Sequence, residues 1–180
     1  MSFHGIVFYV TRALRLAVPA SLLLYGLRRL RKREIPAGWK RESAVFLFYL
    51  YFFSLIAITV IRGGAHLKDW WTLPHTPETV QLIPILVTLR QGRAGAWYLI
   101  YPIAGNILWF LPFGAFWAAL RPGHRWWQAA LGSLGLSVTI EIVQWLLLSG
   151  VSDIDDVIFN VLGGILGFGL TRLWQNQHRH

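Results

Sequence analysis

The sequence predicts an all-α fold: a polytopic transmembrane helical bundle of about five spans, with a partly helical or re-entrant external loop. Three observations predict it. Several stretches approach or exceed the roughly 20 apolar residues that a helix needs to cross a bilayer. Apolar and aromatic residues make up 55% of the 180 residues and charged residues only 14%, against roughly a quarter charged in soluble domains. The remaining charge is gathered into short segments between the apolar stretches. This composition excludes a disordered chain and argues against a water-soluble domain; mean hydropathy is +0.48. The length suits one domain over 1–180. With no cysteine, disulfides, thiolate metal sites and a cysteine nucleophile are excluded.

The first span, about 5–27, is apolar but contains Arg12 and Arg15. An Arg near a helix centre costs roughly 2.5–3.5 kcal/mol on insertion scales. These two either snorkel or face the bundle interior and pair with an acid. A cleaved signal peptide is not expected, because the basic run follows the apolar stretch instead of preceding it. Residues 44–61 carry no charge. Residues 98–120 are uncharged and contain one Asn and two Pro. In 126–148 the only ionisable group is Glu141. The last span, 157–171, is short and calls for local thinning or burial against neighbours.

Orientation follows from the short-loop charges. Residues 28–43 hold seven Lys/Arg and two Glu, whereas 149–156 (SGVSDIDD) hold three Asp and no base. The basic segment should be cytoplasmic, which puts the N-terminus outside and the C-terminus inside. The loop 62–97 fits less well, being external with four basic and two acidic residues. Trp70, Trp71, Trp97, Trp126, Trp127 and Trp174 fall near span ends, where indole rings suit the headgroup layer. The basic run reads as a topological anchor on anionic lipid. It abuts a span and shows no recognition fold, so nucleic acid is not an expected partner.

Polar groups inside hydrocarbon mark function or a packing need. Four places stand out. Asn106 precedes Pro112 and Gly114, and this reads as a kinked helix with Asn106 bonded to a neighbour, or as a break lining a cavity. Glu141 and Gln144 share a helix face that Ser137 and Ser133 continue. There Glu141 requires a proton or a cation, and Arg12, Arg15 and Arg62 are the candidates. Asp153, Asp155 and Asp156 suit the start of a helix, where Ser152 or Asp153 can cap it. Three carboxylates in four residues also resemble oxygen ligands for a divalent cation such as Mg²⁺, bridging to a phosphate. Finally, Asn160, Gly164 and Gly167 fall on one face, and Gly163 with Gly167 forms a G-x-x-x-G seam for close helix packing. The histidines show no metal-ligand spacing. No nucleophile elbow, phosphate loop or Ser-His-Asp order is present.

Taken together, VQLIPI at 80–85, NILWFLPFG at 106–114, the E-x-x-Q of Glu141 and Gln144, and DIDDVIFNVLGG at 153–164 resemble the VanZ-like membrane protein family over about 80–170. Two departures stand out. Gln81 occupies a position where that family often has Asn. Ser149, Gly150, Val151 and Ser152 stand where it often has an Arg before the Asp run. If that Arg handles an anion, this chain must recruit another base or lack the function.

The family is named for a protein linked to teicoplanin resistance, so the resemblance implies a role at the bacterial cell envelope, in the plasma membrane. Two classes of function follow. In the first, the protein binds membrane lipid, a polyprenyl-linked envelope precursor or a partner protein, without catalysis. In the second it is an intramembrane enzyme on a lipid-linked phosphate or pyrophosphate. There Asp153, Asp155 and Asp156 hold a cation, Glu141 moves a proton, and Asn106, Gln144, Asn160 and Arg62 bind the headgroup. A transporter with a helix broken at Pro112 and Gly114 is a weaker third.

Overall fold

The computed structural model describes residues 3–31, 38–61, 80–84, 93, 95–147, 149 and 151–178. It contains helices α1 (Phe3–Arg31), α2 (Trp39–Ile61), α3 (Ala96–Leu120), α4 (Trp126–Leu146) and α5 (Ile154–Gln177). Two short strands, β1 (Val80–Gln81) and β2 (Ser152–Asp153), complete the described elements. All five helices are long and apolar enough to cross a membrane. The chain forms two units, residues 1–64 and 65–180. The external loop expected at 62–97 lies mostly outside the described residues, as does Arg62.

In the first unit α1 and α2 pack as a hairpin. Ala13, Ala17 and Ser21 recur every four residues on α1 and are buried. Small side chains at that spacing let a second helix approach closely. Leu55, Ala57 and Val60 are buried on α2. Near the connection, Arg28 pairs with Glu42 at 3.0 Å, and the Tyr25 hydroxyl donates to the same carboxylate oxygen at 3.1 Å. Ser21 and Thr59 return their hydroxyl protons to carbonyls four residues back. That satisfies a hydroxyl without help from water.

In the second unit α5 packs against both α3 and α4. The reason is a set of glycines. A side chain on Gly163 or Gly167 would strike the Ile107 or Leu111 carbonyl of α3, and one on Gly114 would strike the Gly164 carbonyl. Gly164 instead faces Ser133 of α4. The single glycine face expected from spacing is therefore two faces. Gly163 and Gly167 meet α3, Asn160 meets α4, and Gly164 lies between the two, its carbonyl against Gly114 of α3 and its open side against Ser133 of α4. Pro112 lies inside α3, which continues without a break to Leu120. A helix tolerates this in a bundle when the freed carbonyl has other partners. Gly95, just before α3, has φ 138°, a conformation that side chains resist.

The last span is longer than the sequence suggests. Helix α5 runs 24 residues instead of the expected 15, because its first turn is the Asp-rich segment and its last turns pass Arg172. No thinning of the bilayer is required. At that end Arg172 donates to the Arg121, Pro122 and His124 carbonyls, at 3.0, 2.6 and 3.3 Å. It thereby ties down the turn between α3 and α4. Trp97, Trp126, Trp127 and Trp174 are exposed at helix ends, as expected of interfacial anchors.

Candidate functional site

The polar groups of the second unit gather at the C-terminal end of α4. Ser133, Ser137 and Glu141 stand one turn apart on α4, and all are buried. Asn160 of α5 donates from Nδ2 to Ser137 Oγ at 2.8 Å. Asn160 Oδ1 and Ser133 Oγ are buried and have no hydrogen-bond partner among the described residues. Gln144 is half-buried, and its carbonyl accepts from the Ser149 N–H at 3.0 Å.

Strand β2 folds back over this end of α4. Ser152 Oγ donates to the Glu141 carbonyl at 2.9 Å, and the Asp153 N–H donates to Glu141 Oε2 at 3.0 Å. Glu141 is thus held through both backbone and side chain. Asp153 then caps α5, accepting from the Asp155 N–H at 2.9 Å. Asp155 is fully buried. Asp156 turns towards α3, where Asn106 Nδ2 donates to its Oδ1. The expected cap is therefore Asp153, while Ser152 serves Glu141.

Sequence reasoning missed the two-strand ladder. β1 pairs in parallel with β2, Val80 opposite Ser152 and Gln81 opposite Asp153. The VQLIPI segment carries β-branched residues ahead of Pro84, a weak strand signal that the surrounding hydrophobicity hides. Beside the ladder lies a cavity of about 280 Å³. Its wall is apolar and includes Leu82, Val138, Ile142 and Trp145; Glu141 and Asp153 stand beside it, with Glu141 Oε2 bonded to the Asp153 N–H and Asp153 Oδ1 to the Asp155 N–H. Gln144, Asn106, Pro112 and Gly114 are not among the lining residues. Gly114 serves the close packing of α3 on α5.

The three aspartates expected to hold a divalent cation lie close enough to interact electrostatically but are each engaged differently. Among the described residues, no three His, Asp or Glu side chains are grouped to hold a metal ion. The physical reason is local: Asp153 is committed to the helix cap and Asp156 to Asn106. Of the candidate cations, Arg12 and Arg15 belong to the first unit and Arg62 lies outside the described residues. Among the described residues of this unit, no Lys or Arg forms an ion pair with Glu141, Asp153 or Asp156. These three carboxyl groups lie within electrostatic reach of one another.

Burial pushes the Asp153 carboxyl above the ordinary aspartate value; the Asp155 N–H bond opposes this and the Asp155 charge adds to it. A raised carboxyl stabilises the fold below the ordinary value of about 4 and loses that contribution as pH rises through the raised value. Asp153→Asn keeps a capping oxygen without the charge. We expect the variant to gain on the wild type as pH rises from about 4 to 7. Thermal unfolding in detergent across that range checks it; parallel pH profiles would remove Asp153 as a cause.

These helices and this cavity define a multi-pass membrane protein with an apolar recess, beside which Glu141 and Asp153 stand, at one end of a three-helix unit. The chain belongs to the VanZ/LLP1 family, whose model matches residues 48–175. It is similar to Protein VanZ of Enterococcus faecium, with 35% identity over 77 residues, 41% of this chain and 48% of that protein. The aligned part thus spans about half the length of that relative. No solved structure matches.

Proposed function

We propose that the protein acts at the bacterial cell envelope as a membrane-embedded binder of envelope lipid, and that it thereby lowers susceptibility to glycopeptides of the teicoplanin type. The observation that carries this reading is the cavity beside β2, with an apolar wall and Glu141 and Asp153 at its edge. Such a recess suits an amphiphile: hydrocarbon against the wall, hydrogen-bond donors towards the carboxyl groups. Hydroxyl, amide and ammonium groups meet that need, and the sugar and peptide parts of a polyprenyl-linked envelope precursor supply them. A bare phosphate is disfavoured, because acidic groups repel it. The seven basic residues of 28–43 support an N-terminus outside and a cytoplasmic C-terminus. In that orientation the cavity opens on the outer side, where such lipids are used.

The test is expression in a glycopeptide-susceptible bacterium. Glu141→Gln keeps an oxygen for the Asp153 N–H while removing the charge. Wild type is expected to raise the inhibitory concentration of teicoplanin, and the Gln variant at equal membrane level to return it to that of the empty host. Equal protection by both proteins would sink the role given to Glu141. Metal-dependent turnover of a polyprenyl phosphate by the purified wild type would replace binding with catalysis.

A further inference from the structure

We infer that Arg12 and Arg15 of α1 form a binding site for a phosphate group, carried by a lipid headgroup on the side of the membrane where α1 begins. The two side chains are exposed one turn apart and, with Phe8 and Thr11, line a cavity of about 410 Å³. Neither guanidinium has a hydrogen bond or ion pair among the described residues. Around them the helix is apolar, with Leu14, Leu16, Leu22 and Leu23 exposed as for lipid. A guanidinium in hydrocarbon must find an anion or water.

The depth of the pair identifies the anion. At the other end of α1, Arg28 is neutralised by Glu42, which suits the near boundary of the hydrocarbon. With a rise of 1.5 Å per residue, Arg15 and Arg12 stand about 20 and 24 Å beyond Arg28. A hydrocarbon core of about 30 Å leaves both within roughly 10 Å of its far boundary. Long basic side chains reach that far by extending towards the headgroups. Lipid phosphates form the anionic layer there, and the planar guanidinium matches their oxygens with paired N–H donors.

The test uses the full-length protein purified in detergent, with native mass spectrometry to count retained lipid. The probes are phosphatidylglycerol, a diacylglycerol with the same chains but no phosphate, and inorganic phosphate. Wild type is expected to retain phosphatidylglycerol and not the diacylglycerol. Arg12→Gln with Arg15→Gln should weaken that retention by about tenfold or more, the scale of a charge-assisted bond. Arg12→Lys with Arg15→Lys should fall between, since charge remains and the fork is lost. Arg29→Gln with Arg31→Gln controls for the basic segment; its loss should add to that of the first pair. Unchanged retention by the Gln pair at unchanged helical content overturns the site. If the Gln pair loses helical content, the Lys pair decides, and wild-type retention there overturns recognition by guanidinium. Displacement by inorganic phosphate at matched concentration keeps the phosphate chemistry and overturns the lipid as its source.

Discussion

Gly114→Ala is expected to strip most of the folded protein from the membrane, whereas Gly105→Ala on the same helix leaves it intact. The two changes add one methyl group each. At Gly114 that methyl would lie against the Gly164 carbonyl and the Phe168 N–H of α5, both backbone groups that cannot rotate away. At Gly105 nothing lies within 4 Å. Overpacking a close-packed interior costs about 1–3 kcal/mol and sometimes more. With backbone on both sides, the upper end, about 3 kcal/mol, is the expectation for Gly114→Ala. Gly105→Ala should gain up to about 1 kcal/mol from helix propensity alone. Gly164→Ala falls between, because its nearest obstacle is the Ser133 side chain and not a backbone. Adding Ser133→Gly should restore part of the loss, since it removes both Ser133 atoms in the way. Thermal unfolding in detergent and the yield of monodisperse protein measure the series. If Gly114→Ala and Gly105→Ala unfold alike, the close approach of α3 and α5 is not the principal support of this unit.

The fold was largely legible because the membrane simplifies the problem. A chain in hydrocarbon must satisfy its backbone internally, so uninterrupted apolar runs become helices, as at 44–61 and 98–120. Polar residues inside those runs then identify buried faces. Ser133, Ser137 and Glu141 were readable as one stripe by their spacing, and they are buried together. Helix ends were less legible. The Asp153–Asp156 segment suits a helix start, but the apolar span alone begins at 157, and the cap and first turn extend α5 outward from it. Hydropathy registers side chains and not the hydrogen bonds that let a carboxylate start a helix. The partners of each polar group lay beyond reach. The Asn106–Asp156 bond spans 50 residues of sequence, and no local pattern encodes such a pairing. The β1–β2 ladder escaped for the same reason: two residues per strand hold no period to read.

The Asn106–Asp156 bond carries the second large prediction. It joins α3 to the first turn of α5, beyond the glycine contacts at Gly163 and Gly167. Asn106→Leu should cost about 2–3 kcal/mol, because it strands a partly buried carboxyl group without its donor. Asp156→Asn should cost far less, since an amide oxygen still accepts from Asn106 and one member of a crowded carboxyl cluster is removed. In the double variant Asn106→Leu, Asp156→Leu, much of the single loss should return, because neither group is left unpaired. The cycle of Leu variants isolates the coupling. Measured couplings between membrane helices average about 0.6 kcal/mol and reach about 1.7, since unfolded segments in lipid find other partners. A bond to a carboxylate belongs near the top of that range. Purified variants unfolded in detergent give the four values. A coupling near zero would leave the α3–α5 contact to the glycines alone and free Asp156 for a ligand. A coupling above about 1 kcal/mol makes Asp156 a brace, with Glu141 and Asp153 left as the carboxyl groups beside the cavity.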